Sequence, residues 1–145
     1  MGQLTMTFSP VFLECLDRRC ENASLPILLG GIFNLIRFSS DKSSGGGDKR
    51  LMDLFNGFIE KHELKEIRRV WGSKYTWTNK QATPIMSNID RVLVSTDWED
   101  KFPLTTLNTL VRVGSDHNPL LLDTGKRRCI QPGRFFFEKQ WCLEG

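Results

Sequence analysis

The spacing of apolar residues changes period partway along this chain, and that change limits the fold more tightly than any other feature of the sequence. Ser9-Pro10 reads as an N-cap followed by proline at the first helical position, and Phe12, Leu13 and Leu16 extend the stripe to about Cys20. Leu51, Leu54, Phe55, Phe58 and Ile59 trace a second helical stripe ending near His62, made of core residue types. From Tyr75 onward the pattern is that of strands. Tyr75 to Thr78 is aromatic and β-branched, Ile89 to Val94 alternates around Asp90 and Arg91, and Thr105 to Val113 and Leu120 to Leu122 follow, with a short helical turn at Thr96 to Asp100. One strand falls among the helices: Ile27-Leu28-Leu29, closed by Gly30-Gly31, predicts a buried strand ending in a tight turn. Ser39 to Asp48 (SSDKSSGGGD) is too polar and glycine-rich to pack and predicts a mobile loop. The class implied is mixed α/β (α+β), with flanking helices.

With 145 residues, 39% of them hydrophobic and 10% aromatic, the chain can bury the core of one domain. A sandwich enzyme of two sheets commonly needs about 200 residues or more, so the length points to part of such an enzyme. Twenty Lys and Arg against 17 Asp and Glu give a formal charge of +3, which tolerates a phosphate-rich partner without requiring one. The basic clusters Arg18-Arg19, Arg68-Arg69 and Lys126-Arg127-Arg128 are short and read first as solvated surface. Cysteines 15, 20, 129 and 142 form neither CxxC pairs nor a zinc-ligand grouping, which predicts free thiols and a reducing compartment. No apolar run approaches the roughly 18 residues of a membrane span, and the N-terminus lacks a basic and then apolar leader. The expected location is therefore intracellular, in nucleus or cytoplasm, with no membrane partner and no secretion. After Gly125 the composition turns basic and then aromatic, dividing the chain into a domain over 1–125 and a tail over 126–145.

Three polar positions stand at strand ends or within strands: Asn34 after the glycine pair, Asp90 inside a strand, and the Ser115-Asp116-His117 turn. Loops at strand ends are where binding and catalytic side chains collect. Each position also has a plainer explanation. Asn34 suits a turn, Asp116-His117 suits a local cap, and Asp90 can pair with a neighbouring arginine.

Order and context add to these sites. GGIFN (Gly30 to Asn34), YTWTN (Tyr75 to Asn79), SNIDRVLVS (Ser87 to Ser95) and SDHNPLLL (Ser115 to Leu122) occur in sequence. Together they resemble the pattern of the endonuclease/exonuclease/phosphatase (DNase I-like) superfamily: a Gly-Asp-Phe-Asn turn, YTW(S/T)N, S-(R/K)-(L/I)-D-R-(aliphatic)-L-V-S and S-D-H-x-P-(aliphatic). DWEDKFP (Asp97 to Pro103) and the segment Arg134 to Lys139 resemble the plant LINE-type retroelement branch. The resemblance covers roughly residues 26 to 141, the C-terminal part of such a domain.

The resemblance implies a partial four-layered α/β/β/α sandwich, mostly antiparallel, whose complete form hydrolyses the phosphodiesters of DNA with Mg²⁺. It implies catalytic roles for His117 as general acid/base, Asp90 as its orienting partner and Asn34 as a positioner of phosphate or nucleophile. Asp116 would be a metal or water ligand, and Thr76 and Asn88 would bind substrate, with Trp77 either near the nucleic acid or plain core. Imidazole titrates near neutrality and suits proton transfer, while hard carboxylate oxygens suit Mg²⁺.

Departures from the pattern matter as much. Ile32 stands where the pattern has aspartate, and isoleucine accepts neither a proton nor a hydrogen bond. Upstream of Leu25 nothing supplies the first-half strands or acidic metal ligand, and Asn88 stands where a basic residue is usual. The expectation is a truncated, catalytically impaired hydrolase domain with weak DNA affinity and self-association through exposed sheet surface. An active endonuclease and a non-catalytic nucleic-acid-binding or interaction module are the alternatives.

Overall fold

The computed structural model describes residues 10 to 125, so the expectations for the basic-aromatic tail lie outside the described residues. In chain order the elements are α1 (Pro10–Glu21), β1 (Leu28–Ile32), α2 (Lys49–Lys61), β2 (Lys65–Glu66), β3 (Trp77–Thr78), β4 (Met86–Ser87), β5 (Asp90–Val94), α3 (Thr96–Lys101), β6 (Thr106–Thr109) and β7 (Leu120–Asp123). The described residues thus form a mixed α and β fold whose paired strands run antiparallel, in three small sheets ordered β1-β5-β2, β3-β4 and β6-β7.

α2 shows why the helical stripe folds as it does. Asp48 caps it, its carboxylate accepting from the Arg50 and Leu51 amides at 2.9 and 3.4 Å. Phe55, Phe58 and Ile59 are buried on one face. Leu54, which shares the predicted stripe, is 41% exposed. At its C-terminal end α2 is clasped to α1: Lys61 meets Asp17 and Glu21, and His62 Nε2 lies 2.6 Å from Asp17 Oδ1.

β5 organises the rest because its side chains alternate between two cores. Leu93 enters a cluster with Leu16, Leu29, Phe33, Phe55, Phe58 and Ile59 on the helix side. Val92 and Val94 enter a second cluster with Trp98 and Leu107, flanked by Leu120 and Leu122 of β7. All five β5 residues are buried. The register pairs Leu29 with Leu93 and Ile32 with Asp90, so Ile32 and Asp90 share the face of Val92 and Val94.

Several expectations change. Gly30 and Gly31 lie inside β1, which runs on to Ile32, because pairing with β5 continues through them. The strand predicted over Thr105 to Val113 is confined to Thr106–Thr109, the stretch that β7 pairs with. The glycine-rich stretch is not a free loop at its start: Ser39–Asp41 forms a 3-10 turn, and Asp41 is buried. Lys42 bridges to Ser87, and Ser43 exchanges backbone and side-chain hydrogen bonds with Met86. Cys15 is disulfide-bonded, correcting the reading of four free thiols and removing the cysteine argument for a reducing compartment. Cys20 is a free, buried thiol, pushed up to about 11 by burial and by Asp17. No described helix is long and apolar enough to cross a membrane.

Candidate active site

The site is built where the end of β5 meets the turn before β7. Residues 76 to 78 run between two partners, β4 on one side and the 116–118 segment on the other. The Thr78 amide donates to Asp116 O at 3.1 Å and the Asn118 amide to Thr76 O at 2.7 Å, while Trp77 bridges His117. Asn118 Nδ2 adds a bond to Tyr75 O at 2.9 Å, and Ser115 Oγ accepts from the His117 amide at 3.1 Å. The Tyr-Thr-Trp segment is therefore the template on which the Ser-Asp-His turn is laid.

This pairing brings His117 Nδ1 to 2.9 Å from Asp90 Oδ2, with the imidazole 28% and the carboxylate 11% exposed. A carboxylate only accepts, so Nδ1 carries the shared proton and Nε2 is left as the nitrogen able to exchange one. The hydrogen bond to Asp90 raises the His117 pKa above its ordinary value; burial opposes this, and the charges of Asp90 and Asp116 reinforce it. Asp116 stands beside the pair, its Oδ2 accepting from Trp77 Nε1 at 3.1 Å. Slight burial acts to raise the Asp116 pKa, but the Trp77 bond, its own backbone amide and the nearby His117 and Lys80 charges bring it below the ordinary carboxyl value.

Three of the predicted residues thus come together, and three are placed differently. Asn34 is exposed and left-handed (φ 56°), a conformation asparagine tolerates well. It lines an open cavity of about 220 Å³ with Lys42, Gly47, Asp48 and Ser87, and none of Asp90, Asp116 and His117 lines that cavity. Asn34 is therefore a turn residue at the edge of the site and not a member of its hydrogen-bonded set. The same cavity adjoins the N-terminus of α2, but the Asp48 carboxylate already takes two of the amides that an anion would need.

Thr76 and Asn88, expected to bind substrate, are 0% and 5% exposed and out of reach of one. Thr76 Oγ1 accepts from the Ile89 and Asp90 amides, both at 3.1 Å. Asn88 is tied to Asp41 and Arg69. Both residues hold the start of β5.

Ile32 is the telling neighbour. It is the register partner of Asp90 and 53% exposed. Directly opposed residues of an antiparallel pair carry Cβ atoms about 5 Å apart on one face, so an aspartate here would sit beside the Asp90–His117 pair. Mg²⁺ takes six oxygen ligands, usually one or two carboxylates completed by waters and substrate phosphate. Here Asp116, with one oxygen engaged by Trp77, is the carboxylate left at the rim, and an alkyl group stands where a second would be. Among the described residues no cluster of three or more His, Cys, Asp or Glu side chains forms a cation site. Among the described residues this donor set falls short of a resident Mg²⁺ site.

Sequence inspection missed the residues that support the pair. Trp77 was ambiguous, and nothing near Asp41 or Arg69 marks either as a partner of β5. Against known proteins, no protein-family model matches this chain and no curated protein matches it.

Proposed function

We propose that this chain is a phosphodiester hydrolase domain of the endonuclease/exonuclease/phosphatase kind, similar to plant LINE-type retroelement endonucleases, with an intact proton-transfer pair and impaired hydrolysis. In this reading its small sheets belong to a two-sheet sandwich and its substrate class is DNA. One observation carries the proposal: His117 is hydrogen-bonded to Asp90 at 2.9 Å, and the residue in register opposite Asp90 is Ile32. Nε2 of His117 can exchange a proton with a phosphate or leaving oxygen, while Asp90 holds the ring and stabilises its charged form. With Ile32 in place the position opposite Asp90 carries no group that can accept a proton from an attacking water, and loss of one such group typically lowers a rate by about 10² to 10⁴.

The test is plasmid nicking in the presence of Mg²⁺. The chain itself should nick at or near background. Ile32→Asp, at an exposed position whose change leaves both cores intact, should raise nicking by about 10²-fold or more, and His117→Ala in that background should remove the gain. Background nicking by Ile32→Asp, or a gain that survives His117→Ala, would overturn the proposal.

A further inference from the structure

The pair at the site depends on two segments that meet only in space: Asp90 comes from β5, and His117 is laid against residues 76 to 78. One guanidinium ties these two segments together. Arg69 Nη2 donates to Asp90 O at 3.0 Å and to Asn88 Oδ1 at 2.6 Å, and Nη1 donates to Lys74 O at 2.8 Å. At the other end of the same residue, Thr76 Oγ1 accepts from the Asp90 amide at 3.1 Å. Asp90 is therefore gripped at its N–H by the segment that seats His117 and at its C=O by Arg69.

Arg69 is itself anchored. Its backbone bridges Leu107 of β6, and the next amide, Val70, donates to Leu107 O at 2.9 Å. A planar fork can hold three carbonyl-type acceptors at fixed angles, which the single nitrogen of lysine cannot do.

We infer that Arg69 is the positioning residue of the Asp90–His117 pair, its guanidinium fork setting the separation between the strand that presents the carboxylate and the strand that seats the imidazole. Arg69 acts on the pair through the Asp90 and Lys74 carbonyls. Asn88 is its accessory: by accepting at 2.6 Å it aims the same Nη2 that reaches Asp90 O. The inference rests on the proposed function for its purpose, but its geometry is measurable in a protein that cleaves nothing.

The experiment reads the imidazole N–H of His117 by ¹⁵N-edited NMR in the full chain at one fixed pH, with His117→Ala identifying the resonance against that of His62. In the parent chain the Nδ1 proton should be shifted downfield and slow to exchange with water. Arg69→Lys keeps the charge and removes the fork; in a folded sample it should accelerate that exchange about tenfold, the factor that goes with losing one ordinary hydrogen bond. Asn88→Ala withdraws one acceptor from the fork, and it should move the signal in the same direction by less. A folded Arg69→Lys chain with an unchanged His117 signal would leave Arg69 a purely structural residue and sink the inference. If Arg69→Lys does not fold, an unchanged signal in Asn88→Ala sinks it equally. Because no cleavage is needed, a sensitive His117 signal in an inactive protein upholds this inference while the nicking assay alone decides the function.

Discussion

Asp90 and Arg91 are neighbours on β5 and nearly equally hidden, at 8% and 2% exposure, yet they face opposite sides of the sheet and serve different ends. Arg91 points to the helix side. There it meets Asp41 at 2.7 Å, Glu66 and the Asn88 carbonyl, and its guanidinium lies 6.0 Å from the Phe55 ring centre. Burial alone would raise the Asp41 pKa, but the Arg91 charge and the Arg37 and Phe38 amides outweigh it and bring the carboxyl below its ordinary value. Asp90 points to the other side, where its partner His117 keeps contact with solvent. Burial of a charged group thus does not reveal its role. The difference lies in whether the partner is sealed in the core or retains an atom that can exchange a proton.

The largest expected effect tests that difference directly. Asp41→Ala leaves the Arg91 charge buried without the more buried of its two carboxylate partners and should cost about 3 to 5 kcal/mol in urea unfolding. Asp90→Asn keeps the strand pairing and an acceptor for His117 and should cost about 1 kcal/mol. Equal costs for the two would erase the contrast.

A smaller effect belongs to the site side alone. Gly72 has φ 100°, and an added Cβ would lie 2.4 Å from Thr109 O, so the turn can approach β6 only without a side chain. Gly72→Ala should cost about 1 to 3 kcal/mol. In hydrogen exchange it should loosen β6 and β7 while α2 stays protected; equal loss of protection in α2 would show that the two sides do not act separately.

On the helix side, Asp48→Ala removes the cap of α2 and should cost about 1 kcal/mol. The His117 resonances should not move, and a shift there would reveal coupling through the sheet.

The smallest effect is the pH dependence, in which Asp41 contributes to the acid limb and His117 to the opposite one. The folded pKa of Asp41 is lowered, so its contribution is present above the unfolded carboxyl value and is lost as pH falls through the folded one. His117 is the reverse: its raised folded pKa makes its contribution complete below the unfolded imidazole value and removes it as pH rises through the folded value. In melts across pH, His117→Asn should flatten the stability change from neutral to mildly alkaline pH and leave the acid limb in place. An acid limb that also disappears would refute this division.

Much of the framework was legible before any coordinates, because helix and strand periods depend on neighbours a few residues apart. The α2 stripe of Phe55, Phe58 and Ile59 is buried as its spacing demands, and the alternation along Val92, Leu93 and Val94 does divide between two cores. The pairing of Asp90 with His117, suggested by motif order, is present in the geometry. The plainer explanation of Asn34 as a turn former also matches its left-handed backbone. Asp41 was hidden because it sits in a segment whose composition signals a loop, while its partner Arg91 lies 50 residues away. Thr76 and Asn88 show a related effect: polar side chains near a motif look available until burial shows their atoms already bonded.

The chain's own order of residues decided which stretches coil and which extend, and it placed isoleucine at position 32. Only the folded arrangement decided that this isoleucine stands opposite Asp90, and that Arg69 joins the strands presenting the two halves of the pair. Local periodicity reaches across a few residues, whereas strand register and side-chain bonds between distant segments are settled by packing of the whole sheet.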